Sequence, residues 1–403
     1  MKIGLNSEGM QRANRHLVIG ILLEDKSVSR IELSKKTGLN RATITNIINE
    51  FLEAGIVKEE GYQREGRKTG TLCLSCPEAA VLSARLTREF LEVGAFTLDG
   101  EVRLKERRAV DSREEIEDIM ALLYREIDAA VERAGRENVL GLSVGVPGPY
   151  MRGKRNIAVV SGFEQLSRID LQRDLEERYP FFVATEHDSQ LSALAEWKRL
   201  SPETRQEEDS LVAIQSIGVG IGSGIIINGK IFHGATGTAG EVGHMGINFN
   251  GEARRGIFEA YASTGTARQY VLERMYEFPQ SELTDRCDYG KIRDAYFRDD
   301  PLAVCAMDNL AWKLAYGLSS IVYLLNPSRI VLSEDYPKCP RFIQKVRENM
   351  AGMVNAELMA ETVLRYSEIE IDTTLLGGHY LVLDSMLKRD LLMDRLKAVA
   401  AER

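Results

Sequence analysis

The stretch that decides the fold runs Gly218-Val219-Gly220-Ile221-Gly222-Ser223-Gly224, passes Gly229, Gly234 and Gly237, and closes on Ala239-Gly240-Glu241-Val242-Gly243-His244-Met245. Residues 211–216 before it and 221–227 within it are apolar, so the two runs predict a hairpin turned around glycines. Glycine at alternate positions removes Cβ from a strand face and lets a ligand or another backbone come close. Tight hairpins use glycine too, so the run alone is weak evidence for a ligand. Glu241 and His244 add an acceptor and a donor suited to hydroxyl groups.

The same opening occurs once more upstream. Residues 81–86 and 91–98 are apolar and lead into Asp99-Gly100, a hairpin-turn pair. A helix is expected over 112–134, and a strand over 139–146 closed by Gly145-Val146-Pro147-Gly148-Pro149. A helix over 170–178, a strand over 181–185 and a helix over 188–199 follow. The polar stretch 201–209 reads as an exposed connection. Beyond the glycine cluster come a long helix over 302–325, a buried strand over 330–332 and a helical C-terminus. Two α/β halves that each open with a hairpin predict two lobes, about 77–200 and 201–403, around a ligand cleft, with the C-terminal helix returning to the first lobe.

Composition sets the limits. The chain has 403 residues, 44% hydrophobic and 28% charged, which is a folded protein of two or three domains. Cysteines at 73, 76, 287, 305 and 339 are odd in number and irregularly spaced, so a disulfide framework is not expected and a reducing cytoplasm is. Cys73 and Cys76 form a lone pair with no second pair nearby to complete a zinc site. No apolar stretch approaches the roughly 18 residues of a membrane span. The net charge of -8 argues against a chain that coats polyanions generally, but it is unevenly spread. Residues 1–80 hold twelve Lys and Arg against ten Asp and Glu, and the remainder is acidic.

That N-terminal part, residues 1–76, has its own logic. Residues 16–23 are an apolar-rich helical segment. Ser29 and Glu32 form a capping box for a second helix that stops near Thr37-Gly38. Asn40 caps a third helix in which Ile44, Ile47, Ile48 and Phe51 form one buried stripe. Its other face carries Arg41, Thr43, Thr45, Asn46 and Asn49. Three short helices with a glycine turn before the third predict a helix-turn-helix whose third helix reads DNA. Residues 55–58 and 71–74 read as strands around a polar tip, a wing that brings Arg67 and Lys68 to the phosphate backbone. Asn40, Arg41, Thr43, Thr45, Asn46, Arg67 and Lys68 are therefore the candidate DNA contacts.

Several blocks, in order, resemble the ROK family of repressors, open reading frames and sugar kinases. They are Gly145-Val146-Pro147-Gly148, Glu186-His187-Asp188-Ser189-Gln190 before Leu194-Ala195-Glu196, the stretch 218–245, and Phe258-Glu259-Ala260-Tyr261-Ala262-Ser263. With the N-terminal block the resemblance covers nearly the whole chain and points to the repressor branch. It implies a winged helix-turn-helix followed by a bilobal α/β domain of actin-like, hexokinase-like fold. It also implies a sugar site from Gly148, His187, Asp188, Glu241, His244 and Glu259.

The chain departs from the family pattern where kinase chemistry would reside. His187 stands where the family carries Asn before the Asp that serves kinases as general base, and Gln190 replaces a later Asn. Residues 251–259 lack the three cysteines of zinc-containing members, so no metal is expected. The family's Asp-x-Gly-Gly-Thr phosphate motif falls on Arg85-Leu86-Thr87-Arg88-Glu89, and its nucleotide loop on Leu332-Ser333-Glu334-Asp335. The resemblance with these departures implies a non-enzymatic, cofactor-free, sugar-responsive repressor of carbohydrate-use genes; a sugar kinase with a DNA-binding domain, or a ligand-independent regulator with a decayed sugar pocket, are the alternatives. Its partners would be double-stranded operator DNA, a small carbohydrate and a second copy of itself, with no membrane.

Overall fold

The computed structural model describes residues 7–25, 27–64, 67–151, 153–158, 163–248, 256–333 and 335–401. By internal contacts the chain forms two compact units, one of Met1–Pro147, Val159–Glu186 and Gly378–Arg403, the other of Gly148–Ala158 and His187–Gly377.

The first unit begins with α1 (Ser7–Glu24), α2 (Arg30–Thr37) and α3 (Arg41–Glu53), then the hairpin β1 (Val57–Arg64) and β2 (Arg67–Leu74). Local chemistry sets these limits. Ser29 Oγ accepts from the Glu32 amide at 3.2 Å while Glu32 Oε2 accepts from the Ser29 amide at 2.8 Å. Gly38 ends α2 in the left-handed region at φ 71°. Asn40 Oδ1 takes the Thr43 amide at 2.8 Å and starts α3. The wing strands are longer than the sequence suggests, because cross-strand pairing continues from Val57 opposite Leu74 out to Arg64 opposite Arg67.

The core beneath these helices continues into the rest of the unit. Val18, Ile19, Ile44, Ile48 and Phe51 share one apolar cluster with Val81, Leu98 and Leu140 and with Leu392, Leu396 and Val399 near the C-terminus. Glu50 of α3 receives Arg15 Nε at 2.8 Å and Lys397 Nζ at 3.1 Å. A boundary at residue 76 therefore separates sequence patterns and not packing. The sheet of this unit holds β3 (Ala80–Leu86), β4 (Phe90–Phe96), β5 (Val102–Ala109) and β6 (Val139–Val146). After the small hairpin β7 (Tyr150–Met151) and β8 (Asn156–Ile157), it is completed by β9 (Phe182–His187), in the order β5-β4-β3-β6-β9. The helices α4 (Ile116–Ala134) and α5 (Leu171–Arg178) connect its strands.

The second unit takes in the hairpin β7–β8 and resumes with α6 (Asp188–Arg199). Its sheet is β10 (Ser210–Ile217), β11 (Gly220–Ile227), β12 (Lys230–Ile231), β13 (Arg329–Leu332) and β14 (Val363–Tyr366), ordered β12-β11-β10-β13-β14. Each sheet thus has the order third, second, first, fourth, fifth. In both, the first three strands are antiparallel and the fourth runs parallel to the first. The division between units falls at Glu186/His187, before α6 and not near residue 200. The reason is that α6 lies on β11: a Cβ on Gly224 would stand 2.1 Å from the Ser189 carbonyl oxygen. The long helix α7 (Pro301–Leu325) supplies much of this unit's core through Leu302, Met307, Leu310, Leu314, Leu318 and Ile321. Helix α8 (Thr373–Lys388) changes unit between Gly377 and Gly378, and α9 (Leu392–Ala401) ends the chain in the first unit.

Candidate functional site

At the end of β9 the chain passes directly from His187 into Asp188, the first residue of α6. A carboxylate in the first turn of a helix faces the positive end of its dipole. Both side chains are buried, with His187 Nε2 at 3.3 Å from Asp188 Oδ1. Ser189 Oγ lies 3.1 Å from His187 Nδ1 and donates to the Ser223 carbonyl at 3.1 Å, so the glycine hairpin and α6 are tied together beside the histidine.

Glu241 reaches the same place from the loop after the hairpin. Its Oε1 is 3.7 Å from His187 Nδ1, and its Oε2 is 4.0 Å from His244 Nε2. The loop is held by Gln190 Nε2, which donates to the Gly237 and Ala239 carbonyls at 3.2 Å each, and by Ser223 Oγ, which donates to Gly240 O at 2.7 Å. Glu259 sits at the start of a short helix and its Oε2 accepts from the Ile221 amide at 3.3 Å. Burial pushes the Glu241 carboxyl above its ordinary range; His187 and His244 pull it back, and Asp188 and Glu259 push it up.

Glu241 Oε1 is buried with no hydrogen-bond donor among the described residues. A buried acceptor left unmet costs about 1–3 kcal/mol, which a ligand hydroxyl can recover. Of the sugar-site candidates, His187, Asp188, Glu241 and His244 form one chain of neighbours, with His244 at its exposed end. Glu259 adjoins them through Ile221. Gly148 lies in the turn after β6 at φ 74° and can contribute only backbone.

Other expectations change on inspection. The glycines of β11 serve packing: Gly222 and Gly224 lie under Ser189 and Ala193, where the sequence allowed backbone contact with a ligand. Phe163 is buried in the first unit and presents no face to a ligand. The sequence reading missed Ser189 as a link between His187 and the hairpin; its place immediately after Asp188 on a helix N-terminus was the available signal. Of the segment 251–259, where a zinc site was not expected, residues 251–255 lie outside the described residues. Among the described residues no group of three or more His, Cys, Asp and Glu could hold a metal ion, and no helix is long and apolar enough to cross a membrane.

On α3, Arg41, Thr45 and Asn46 are exposed with the capping Asn40, and Thr43 is half-buried. Thr45 Oγ donates to the Arg41 carbonyl at 2.8 Å, so its hydroxyl proton is engaged within the helix and only its acceptor capacity faces outward. Arg67 and Lys68 stand at the start of β2, opposite Arg64 and Gln63, and their side chains lie outside the described residues.

A winged helix-turn-helix DNA-binding model matches residues 12–58, and the ROK family model matches residues 83–385. A xylose repressor from Caldicellulosiruptor bescii is 25% identical over 400 residues, covering 94% of this chain and 97% of that protein. The crystal structure of a ROK family transcriptional regulator, described as a homologue of the Escherichia coli MLC protein, is similar in fold. Its TM-score is 0.80 at 23% identity, covering 96% of this chain and 99% of that one. A ROK family glucokinase from Streptomyces griseus, solved with glucose and AMPPNP, has a TM-score of 0.64 at 22% identity and covers 76% of this chain and all of its own. With a family model spanning three quarters of its length behind a DNA-binding head, the chain belongs to the ROK family.

Proposed function

We propose that the protein is a carbohydrate-responsive transcriptional repressor that works in the cytoplasm as a homodimer on a palindromic operator. The observation that carries the reading is the buried Oε1 of Glu241, without a donor among the described residues, beside His187 and Asp188, in a chain that also bears a capped recognition helix. His187, Asp188, Glu241 and His244, spaced 3.3–4.0 Å from neighbour to neighbour, suit a ligand made of neighbouring hydroxyls. Asp188, Glu241, Glu259 and the histidines hold the sugar; Arg41, Thr43 and Asn46 meet base edges and Arg67 and Lys68 meet phosphate. The similarity to a xylose repressor supports the same reading.

The route from site to head runs along α8. Thr374 Oγ1 donates to the Asp188 carbonyl at 3.2 Å, and ten residues beyond the change of unit Leu387 packs against Gly20 of α1. A sugar that draws on Asp188 acts on the first turn of this helix. Two heads on a symmetric site must keep the spacing of one helical turn or a multiple, so a small rotation of α8 weakens the operator complex.

Phosphoryl transfer is disfavoured by what occupies the nucleotide positions. Arg85, at the position of the motif's Asp, is buried with its guanidinium 5.7 Å from the Phe90 ring, and Thr87 and Arg88 stand where family kinases carry glycine. Asp335 Oδ2 accepts from the Ser216 amide at 3.3 Å and from Ser333 Oγ at 2.6 Å, which puts a carboxylate where phosphate would approach. Both substitutions support the reading that the nucleotide site is lost.

The test is fluorescence anisotropy on the chain's own upstream promoter at fixed salt, with a panel of neutral sugars, sugar phosphates and polyols. One member should shift the binding curve, and Asp188→Ala should abolish that shift while leaving operator affinity unchanged. Loss of both together, or sugar-dependent ATP consumption, refutes the reading.

A further inference from the structure

Helix α8 ends at Lys388, and Arg389-Asp390-Leu391 carries the chain into α9. Backbone bonds close the turn, from the Arg389 amide to the Ser385 carbonyl at 3.1 Å, from Asp390 to Leu387 at 3.2 Å and from Leu391 to Met386 at 2.9 Å. Asp390 passes through the left-handed region at φ 63°. Just beyond a helix end this conformation favours glycine, which has no Cβ to strain. An aspartate here strains the turn, and its side chain shows what it does there.

Both carboxylate oxygens reach the same helix of the DNA-binding head. Asp390 Oδ2 is 2.5 Å from Arg12 Nε, and Oδ1 accepts from His16 Nε2 at 2.5 Å. Arg12 and His16 are one turn apart on α1. One turn further on, a Cβ on Gly20 would stand 3.7 Å from Leu387 Cδ2 of α8. Positions 12, 16 and 20 therefore form one face of α1, set against the last turn of α8 and its exit. Glu50 of α3 holds a separate link, to Arg15 and to Lys397 of α9. The Asp390 side chain is 28% exposed, that of Arg12 55% and that of His16 23%. Ion pairs this wet add little to global stability. What they supply is direction, because two oxygens held from successive turns fix the rotation of α1 about the end of α8.

We infer that Asp390 is a clasp between the head and α8: a positioning residue that sets the orientation of α1, and through it of the recognition helix, without touching DNA or sugar. The inference rests on the reading that two heads meet one symmetric operator, and it names the contact by which α8 directs them. Helices α1 and α3 share one core, so a turn of α1 carries the recognition helix with it. Opening the clasp lets each head swing, and heads that swing accept half-sites at spacings the clasped protein rejects.

The test compares the full chain with Asp390→Gly, which deletes the carboxylate and suits the left-handed backbone, and with Asp390→Asn, which keeps an oxygen acceptor and tolerates that backbone. Both should melt within about 2 °C of wild type. In hydrogen exchange the α1 amides of Asp390→Gly should exchange about fivefold faster, with those of β10 to β14 unchanged. On the chain's own upstream promoter, about five base pairs inserted at the centre of the protected site turn the half-sites to opposite faces of the DNA. The loss of wild-type affinity that this causes should shrink about tenfold in Asp390→Gly, with Asp390→Asn between the two. Unchanged exchange in α1 overturns the clasp, whatever the DNA shows. Faster exchange with the full spacing penalty makes the contact structural only and overturns the positioning role. A wild type that binds the promoter but is indifferent to the insertion, or does not bind it, overturns the two-fold operator reading and this inference with it.

Discussion

Replacing Gly224 by alanine tests whether the glycine run of β11 is there for packing. The new Cβ would stand 2.1 Å from the Ser189 carbonyl oxygen, 2.6 Å from Ala193 Cβ and 2.8 Å from Gln190 Cα. Ordinary contact begins at 3.4 Å, so the first two turns of α6 must retreat by 1.3 Å, and two of the three obstacles are backbone that cannot rotate away. Overpacking of this kind costs about 3 kcal/mol. For the second unit, with roughly 200 residues, that is a fall in melting temperature of about 6–12 °C. Because Asp188 opens α6, the same retreat moves it off His187 and Glu241, and the sugar response should be lost while operator binding persists. Differential scanning calorimetry and anisotropy on one preparation read both effects, with Gly61→Ala, which meets nothing within 4 Å, as the control. A Gly224→Ala protein that melts within about 2 °C of wild type and still answers its sugar refutes the packing account.

Asn40→Ala removes the cap of α3 and should cost about 1 kcal/mol in urea unfolding, together with weaker operator binding; unchanged stability would mean that the cap is replaced by water. Leu396→Ala should cost about 2–5 kcal/mol, because Leu396 is buried in the core shared with α1 and α3. It should therefore lower operator occupancy although it lies near the other end of the chain; a head that resists proteolysis independently of this change contradicts the shared core. Glu241 has a folded pKa above its ordinary 4.5, so the folded state holds that proton more firmly than the unfolded one. Its contribution is absent below pH 4.5 and becomes destabilising as pH rises through the folded value. Glu241→Gln should accordingly match wild type below that window and melt higher above it. Buried Glu196 adds a slope of the same sign, so the difference between the two melting curves is the quantity to read.

Much of the fold was legible because the signals are local. The capping box at Ser29 and Glu32, the stop at Gly38 and the cap at Asn40 depend only on residues within one turn, and each formed as read. The strand at Val139–Val146 and the helix at Asp188–Arg199 have the limits that periodicity assigns them. The edge strand β14 was missed, since four residues bordered by polar chain carry little pattern. The candidate sugar site was legible through motif resemblance, which named Asp188, Glu241, His244 and Glu259 without indicating who touches whom.

Tertiary structure decided the rest, for a physical reason common to each case. Which unit α6 joins depends on the missing Cβ of Gly224, a contact between residues 35 apart. Whether the N-terminal helices form a separate body depends on Leu392, Leu396 and Val399, more than 300 residues away. That Phe163 is buried and that Glu241 Oε1 lacks a donor among the described residues are likewise outcomes of packing between distant segments. The sequence by itself determined the local elements and their order, because capping, periodicity and turn chemistry act over a few residues. Burial and the partners of each polar atom are properties of the assembled chain, and only the fold assigns them.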